Sequence, residues 1–357
     1  MDIIFIASAS SIHSARWIKY FADKYSRKVL WITAANPTHE TIREFRELNM
    51  IVDIIRINRL SGLFSLLRIL FFRKYSLVHI HYLGWHSLLA LFLRKDSSLI
   101  LTPWGSDVLF NNSLLKRTWL KFLFKKSNLV ICDSKRLENQ SILLGAKKEN
   151  IKLVMFGIQT NLYKSSRTIF SQKDKIIIGS NRKLEEVYDV KTLLLAAKII
   201  CNKRDDLKFL IAGDGSLFNE YHKFIIDNKL TNKVILLGLL NRDEMINFYN
   251  SIDLYVSTSL SDGGLSSSIA EAMSFERIVI ITNNSDNQYW VKNREEGFLF
   301  ENSNYNQLVG IIEKISNNKK DIIQISKLGR KVIEDRYSYN SEMKKVEDMY
   351  LRIHKNH

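Results

Sequence analysis

Short apolar runs alternate with amphipathic stretches along the whole chain of 357 residues. This alternation is typical of strands that cross over through helices into a parallel sheet. The polar segment 159–174 separates an earlier series of runs from a later one. The sequence therefore predicts an α/β protein with two doubly wound parallel sheets. The predicted strands are 3–7, 28–33, 51–57, 77–81, 99–102 and 129–132 in the first sheet, and 175–179, 208–212, 234–237, 254–257 and 278–282 in the second.

The length and the 46% hydrophobic composition are sufficient for two domains with their own cores. We place the first domain at 1–165, the second at 166–338 and a final helix at 339–357. Open parallel sheets bind ligands beyond the carboxyl ends of their strands. We therefore expect the functional residues in loops at those ends, lining a cleft between the two domains.

The stretch 75–93 has no Asp, Glu, Lys or Arg and is close to the length of a membrane-spanning helix. It also contains three histidines, whose burial in hydrocarbon would be costly. We interpret it as a buried strand, a loop and a helix. The N-terminus carries Asp2 where a signal peptide carries positive charge, and Cys132 and Cys201 are isolated. These features predict a cytoplasmic protein with reduced cysteines.

Most of the net charge of +16 lies in the first half, since residues 1–165 hold 25 Lys and Arg against 11 Asp and Glu. Two stretches there, 63–75 and 114–126, combine basic and aromatic residues and predict amphipathic helices. Each is either a core-facing helix with solvated lysines or a surface that lies on anionic lipid. The concentration of charge favours the second interpretation, with the protein peripheral on the inner face of the cytoplasmic membrane.

A predicted strand at 254–257 is followed by a Gly-rich turn and by serines that open a helix. Free backbone amides at a helix start bind anions, and small residues allow a phosphate to approach closely. Glu271, in the first turns of this helix, is placed to accept hydrogen bonds from sugar hydroxyls; the alternative is an ordinary capped helix with a solvated Glu. The candidate binding residues are Gly263, Gly264, Leu265, Ser266, Ser267 and Ser268.

This segment resembles the signature of the retaining GT-B glycosyltransferases of family 4, also called group 1. Two acids flank a Gly-rich turn there, and the second precedes Ala-Met. The family separates its acids by eight positions, whereas Asp262 and Glu271 lie nine apart. The segment around Gly213 and Gly215 resembles the family's strand followed by Gly-Asp-Gly, and the segment around Gly238 resembles the family's next strand and Gly turn.

The resemblance implies a GT-B fold of two Rossmann-like domains, with the final helix crossing back to the first domain. It also implies a sugar-nucleotide donor, UDP- or GDP-linked, and no metal.

Gly179-Ser180-Asn181-Arg182 follows a predicted strand where the family has Gly-Arg and then a Lys. Arg182 is a predicted clamp on the diphosphate, because a guanidinium binds phosphate oxygens in a forked geometry; the alternative is a surface arginine. Val187 occupies the position of the Lys, so Lys183 or Lys191 is a possible substitute.

The first domain offers further candidates at its strand ends. His13 or Arg16 either contacts substrate or serves as a helix cap and a surface charge. His79 and His81 point to the same side of a strand; we favour a polar lining of the cleft over a metal pair.

Asp107 is a candidate catalytic acid in the same cleft. Trp104 stands where the family's His reaches the donor sugar near its 6-hydroxyl. This replacement suggests a transferred sugar without that hydroxyl.

We therefore predict a retaining glycosyltransferase of hexosyl or N-acetylhexosaminyl type. Its acceptor would be a lipid-linked or surface polysaccharide in bacterial O-antigen or capsule synthesis. Front-face attack, which the resemblance implies, lets the leaving phosphate take the acceptor proton, so no protein base is needed. The alternatives are a nucleotide-sugar epimerase of the same fold and a nucleic-acid-binding protein. The pI of about 9.6 motivates the last, but no aromatic strand motif of a single-strand module is present.

Overall fold

The computed structural model describes residues 1–39, 41–57, 75–92, 96–109, 113–171, 175–262, 264–284 and 286–355. Gly263 and most of the basic stretch 63–75 lie outside the described residues. The chain divides into two compact units, one made of Met1–Phe156 with Asn340–His357 and the other of Gly157–Tyr339. The final helix thus belongs to the first unit, and the chain passes into the second unit before residue 166.

Residues before 166 bond to the second unit: the backbone N–H of Ile158 donates to the carbonyl of Tyr337 at 2.9 Å, and Arg277 donates to the hydroxyl of Ser165. Two buried charged residues of that unit hold the segment that follows. The carboxylate of Asp253 accepts hydrogen bonds from the backbone N–H of Phe170 at 2.8 Å and from Arg167 at 2.9 Å. The guanidinium of Arg277, 1% exposed, donates to the carbonyl of Arg167 at 2.7 Å. These bonds hold the polar segment that separates the two series of apolar runs, up to Phe170, against the second core.

The first unit is built around a sheet of seven described strands, all parallel, in the order β3-β2-β1-β4-β5-β6-β7. The prediction of six of these strands is confirmed, and the edge strand β7 was missed. The strands are β1 Ile3–Ile6, β2 Val29–Thr33, β3 Asp53–Arg56, β4 Leu77–His81, β5 Ser98–Thr102, β6 Leu129–Cys132 and β7 Ile151–Leu153.

The second unit holds a sheet of six described strands, also parallel, in the order β10-β9-β8-β11-β12-β13. Five were predicted, and the edge strand β13 was not. The strands are β8 Ile176–Ser180, β9 Leu207–Ala212, β10 Val234–Gly238, β11 Leu254–Ser257, β12 Ile278–Thr282 and β13 Phe298–Phe300. The prediction of two Rossmann-like parallel-sheet domains is confirmed.

Helices cover the sheets, and several of them begin at polar caps. Ser11, Ser134 and Ser266 each accept a hydrogen bond from a first-turn backbone N–H. The helices of the first unit are α1 Ile12–Tyr25, α2 Ile42–Asn49, α3 Ser106–Leu109, α4 Leu114–Lys126, α5 Lys135–Leu143 and α13 Tyr339–Lys355, with a 3-10 helix at Trp85–Phe92. Those of the second are α6 Val190–Cys201, α7 Phe218–Asp227, α8 Arg242–Ser251, α9 Ser267–Ser274, α10 Asn287–Trp290, α11 Tyr305–Asn317 and α12 Lys319–Arg336.

Each unit has its own apolar core between sheet and helices. Strands such as β1 and β12 are buried along their whole length, as expected for a parallel sheet that helices cover on both faces. Cys132 and Cys201 are buried and unpaired. None of the helices described is both long enough and apolar enough to cross a bilayer.

Helix α13 is held in the first unit by buried polar contacts. The carboxylate of Glu342 accepts from the backbone N–H of Met155 at 2.7 Å. Glu347 accepts from Lys24 at 2.7 Å and from the hydroxyl of Tyr25 at 2.9 Å. Burial alone would raise the pKa of Glu347, but these donors lower it from 4.5 to about 2.

Glu347→Gln should make the stability of the protein less dependent on acid. Because the folded-state pKa is depressed, the ion pair stabilises fully above about pH 4.5 and is lost as the pH falls towards 2. We expect the variant to be less stable at pH 7 by an amount on the order of 2 kcal/mol, and the difference to shrink between about pH 5 and pH 3. Urea unfolding across this range measures it. Asp348→Asn, on the exposed side of the same helix, is the control. An equal loss of stability in the control would contradict the role of the Glu347 ion pair.

Candidate functional site

The centre of the candidate site is the point in the second sheet where the strand order reverses. Strands β8 and β11 are neighbours there, and their following loops leave on opposite faces. The loop after β8 carries Asn181 and Arg182, and the loop after β11 runs through Asp262 to the start of α9. This switch point is the ordinary ligand site of open α/β sheets.

The guanidinium of Arg182 joins the two loops. It donates to the hydroxyls of Ser266 and Ser268, both at 2.9 Å, and it forms a hydrogen-bonded ion pair with Asp262. Its central carbon Cζ lies 4.7 Å from the ring centre of Tyr188. Arg182 is only 9% exposed, so the interpretation as a surface arginine is wrong.

The ion pair keeps Arg182 charged in a buried position. Burial alone would lower the pKa of Arg182, but Asp262 more than offsets it and the pKa is raised. Asp262, 7% exposed, is therefore engaged by Arg182 in this structure. A positive fork beside a carboxylate can bind an anion if the carboxylate yields one of its contacts.

Helix α9 begins directly beside Arg182. Gly264 has φ +76°, a left-handed conformation that few other residues adopt easily, and it turns the chain towards the helix. The side chain of Ser266 caps the helix by accepting from the backbone N–H of Ile269, and Leu265 is buried beneath the turn. The first-turn amides of Ser267 and Ser268 thus lie at the positive end of the helix dipole, next to a guanidinium.

Glu271 lies one turn further along α9 and is part of a hydrogen-bond chain. The hydroxyl of Tyr249 donates to its carboxylate at 2.9 Å, and the amide of Asn181 donates to that hydroxyl at 2.9 Å. Burial, with Glu271 adding to it, raises the pKa of Tyr249 well above 10, so the phenol remains a donor. The sequence did not point to Tyr249, because α8 and α9 belong to different strand–helix units.

Several buried polar atoms around this switch point have no hydrogen-bond partner within the described part of the chain. They lie at the ends of β8 and β11 and in the loops that follow β8, β11 and β12. Native proteins pair nearly all such atoms, so a cluster of them indicates a place where a polar ligand completes the bonding. The atoms are Ser180 Oγ, Asn181 Oδ1, Arg182 Nε, Ser257 Oγ, Asp262 Oδ2 and Asn284 Oδ1.

The glycines after β9 determine where the Arg182 loop lies. A Cβ at Gly213, with φ +133°, would lie 2.3 Å from the carbonyl oxygen of Arg182, and a Cβ at Gly215 would lie 2.4 Å from that of Leu184. Gly213 also donates to the carbonyl of Gly238 at 2.7 Å. These glycines therefore support the binding loop through close backbone packing, and the expectation that they contact the donor stays a prediction.

The two lysines proposed as substitutes are exposed. Lys191 lies 3.7 Å from Glu220 on the surface, and its side chain is 59% exposed. Neither lysine belongs to the buried cluster around Arg182.

His79 and His81 do not line a cleft, and this prediction is wrong. Both are fully buried in the first unit, where His81 bonds to Ser14 at 3.0 Å and His79 bonds to Thr102 at 2.6 Å and to Tyr350. Burial lowers the pKa of both rings, that of His81 to about 3, so both are neutral at pH 7. His79 is covered by Tyr350 of α13, which comes from the far end of the chain, and His81 is covered by Ser14 and Trp17 of α1.

Asp107 is also buried and accepts from the backbone N–H of Leu83 at 2.7 Å and of Trp104 at 3.0 Å. It holds the loop after β5, so the expectation of an acid exposed in a cleft is wrong. The ring of His13 stacks on Phe156 at 4.6 Å with Trp104 at its edge. Burial, helped by the charge of Arg16, lowers the pKa of His13 to about 4, so it is neutral at pH 7.

The first unit has a pocket of about 290 Å³ at the carboxyl ends of β1, β2 and β4, beside its own switch point. Ser8, Ala34 and Trp85 contribute to its lining. Tyr82, at its rim, has φ +59°, a strained conformation that is frequent at functional sites. The sequence does not indicate this pocket, because no local motif marks Tyr82 or Trp85.

Two parallel Rossmann-like sheets, one with a basic, serine-rich site at its switch point, define the GT-B class. The chain belongs to the group 1 glycosyltransferases: the family model "Glycosyl transferases group 1" matches residues 163–332, and "Glycosyl transferase 4-like" matches residues 2–134. It is therefore a glycosyltransferase.

Particular relatives extend this finding. The chain is 27% identical over 236 residues to the capsular polysaccharide biosynthesis glycosyltransferase CapM of Staphylococcus aureus, covering 62% of this chain and 60% of CapM. It is 30% identical over 160 residues to the UDP-Gal:alpha-D-GlcNAc-diphosphoundecaprenol alpha-1,3-galactosyltransferase of Escherichia coli, covering 44% and 40% of the two chains. Less than two thirds of either relative is thus matched.

The solved structure of Alr3699/HepE from Anabaena in complex with UDP and glucose is similar in fold. The TM-score is 0.77 at 16% identity, and the match covers 98% of this chain and 99% of HepE.

Gly213→Ala should destabilise the second unit more than Gly238→Ala. Both glycines have positive φ, so both variants carry backbone strain, but only at Gly213 does the new methyl meet backbone; around Gly238 nothing lies within 4 Å. We expect the difference in free energy of unfolding to be about 1–3 kcal/mol. Urea unfolding of the two variants measures it, and equal losses would contradict the supporting role of Gly213.

Proposed function

We propose that this chain is a retaining glycosyltransferase that transfers a sugar from a nucleotide-diphosphate donor to a lipid-linked or surface-polysaccharide acceptor. The observation that carries the proposal is the Arg182 cluster at the switch point of the second sheet. A buried guanidinium, two serine hydroxyls and the amides of a helix start converge there. These groups suit a diphosphate, which is the leaving group of such a transfer.

The chemistry asks the protein to stabilise negative charge that grows on the departing diphosphate. Arg182 is preorganised for this task, since Ser266, Ser268 and Asp262 fix its plane before any ligand arrives. A diphosphate would take over contacts that Asp262 now makes. The carboxylate of Asp262, released from Arg182, would then lie close to the transferred sugar. We propose that Asp262 acts there.

Glu271 would accept a hydrogen bond from a hydroxyl of the ribose or of the sugar. Its position is fixed by the hydroxyl of Tyr249, which itself is held by Asn181. A carboxylate has about four acceptor positions on its two oxygens, so it can accept a bond from a ligand hydroxyl in addition to bonds within the protein. This arrangement supports a binding role for Glu271 rather than proton transfer.

Retention and metal independence follow from the family resemblance. With front-face attack, the departing phosphate accepts the proton of the acceptor hydroxyl, and Arg182 with the α9 amides replaces the charge that a divalent metal would otherwise supply.

The epimerase alternative loses its support, because its candidate acids and bases, His79, His81 and Asp107, are buried and bonded within the first unit. The nucleic-acid alternative leaves the Arg182 cluster without a purpose.

The acceptor and the cellular location are proposed from the relatives and the charge. CapM is named for capsular polysaccharide biosynthesis, and the galactosyltransferase of Escherichia coli is named for a diphosphoundecaprenol acceptor. We place the protein in the cytoplasm at the inner face of the membrane, in bacterial cell-surface glycan synthesis. The pocket beside Trp85 is the proposed place for part of the acceptor.

Nucleotides should stabilise the protein against heat in a pattern that identifies the donor. We expect UDP or GDP and the matching sugar nucleotides, including 6-deoxy sugars, to raise the melting temperature with or without EDTA. Glu271→Gln should weaken binding by roughly 10- to 100-fold, since a hydrogen bond to a charged group is lost. Glu220→Gln, on the surface, should leave binding unchanged. No shift with any nucleotide, together with salt-sensitive binding to RNA or DNA, would contradict the proposal.

The anomeric configuration of the released or transferred sugar should match that of the donor. Proton NMR at early times, before mutarotation, reports this for the slow hydrolysis of the donor that gives the largest thermal shift. An α-linked donor should yield the α-anomer first. Initial formation of the β-anomer would exclude retention and leave the donor site intact.

A further inference from the structure

One face of the first unit exposes a row of large apolar side chains. Residues three apart overlie one another in a 3-10 helix, so Trp85, Leu88 and Leu91 form a single row along Trp85–Phe92. They are 65%, 47% and 55% exposed, while Ser87 and Ala90 on the opposite side are buried. The apolar stretch that the sequence assigned to a buried strand, loop and helix is therefore partly on the surface.

Helix α4 lies beside this row. The indole of Trp119 donates to the hydroxyl of Ser87 at 2.8 Å, and the ammonium of Lys126 donates to the carbonyl of Ala90 at 3.5 Å. The helix adds its own exposed apolar side chains, of which Leu114 and Leu115 are 84% and 86% exposed. We call the combined surface the docking face; its apolar residues are Trp85, Leu88, Leu91, Phe92, Leu114, Leu115 and Phe122.

The docking face is strongly basic at the same time. Helix α4 carries five cations and no acid, and Trp85–Phe92 carries no acid either. An ordinary solvated surface does not require large exposed apolar side chains, and a protein core does not require cations. The five cations are Lys116, Arg117, Lys121, Lys125 and Lys126.

We propose that the docking face binds the interfacial region of an anionic lipid bilayer. The apolar side chains would enter between the headgroups, and the lysines would contact lipid phosphates. A second copy of the chain is a poor occupant, because five cations would face five cations. Nucleic acid would use the lysines and leave the apolar row in water. The inference deepens the proposed function, since it names the surface by which the enzyme meets a membrane-held acceptor.

Vesicle flotation tests the proposal with the full-length protein. We expect binding to vesicles of phosphatidylglycerol and phosphatidylcholine, and much weaker binding to phosphatidylcholine alone. Lys121→Gln with Lys125→Gln should weaken binding to the anionic vesicles about 30-fold. The control is Arg43→Gln with Arg46→Gln, which removes two exposed cations from α2 in the same unit.

The apolar part of the docking face has its own test. Leu114→Ser with Leu115→Ser should remove the binding that survives in high salt. Met50→Ser with Ile226→Ser, at positions 80% and 50% exposed at the end of α2 and in α7, should not. Trp85 is the most exposed of the six tryptophans, so lipids with brominated chains should quench its fluorescence, and Trp85→Phe should abolish that quenching.

The outcomes separate this proposal from the proposed function. Thermal stabilisation by the preferred nucleotide should be the same in all of these variants, because none of the substituted residues belongs to the site of the second unit. Unchanged vesicle binding in both docking-face variants would overturn the proposal and leave the donor site untouched. The proposal would also be overturned if the protein bound no vesicles and the docking-face substitutions instead abolished self-association or the binding of an acidic protein.

Discussion

The second unit depends on one buried ion pair. A guanidinium that is 9% exposed is stable only when a counter-ion and hydrogen-bond acceptors surround it, and Asp262, Ser266 and Ser268 supply them. Because Arg182 follows β8 while its partners follow β11, a single side chain joins the two loops of the switch point. The glycines after β9 bring the Arg182 backbone into place from the other side. The same contacts therefore determine both the geometry of the binding site and the stability of the loops around it.

The alternation of apolar and polar residues was sufficient to predict most strands. A buried parallel strand is a short apolar run, and eleven such runs coincide with strands of the structure. The missed strands, Ile151–Leu153 and Phe298–Phe300, are three residues long and lie at sheet edges. A run of that length has no period to detect, and only pairing with a neighbour defines it. The exposure of the row that begins at Trp85 was not predicted for a related reason. Composition alone does not distinguish a buried apolar segment from an interfacial one.

The candidate site divides in the same way. Asp262, Ser266, Ser268 and Glu271 lie in one contiguous motif, and a local motif is what sequence reasoning can read. Arg182 was predicted to bind phosphate from its position directly after a predicted strand. Tyr249 was missed because its contact with Glu271 joins two different strand–helix units. His79 and Asp107 were assigned to a cleft because their burial depends on elements distant in sequence: Tyr350 of the final helix bonds to His79, and the backbone N–H of Leu83 bonds to Asp107.

The placement of that final helix has a consequence for how the protein is made. The second unit is complete once Tyr339 has been synthesised, but the first unit still lacks Asn340–His357. Domains fold as units during synthesis, and the buried rings of Phe21 and His79 remain uncovered until Tyr350 has left the ribosome. The domain that begins the chain therefore cannot complete its native fold until the last helix has been synthesised.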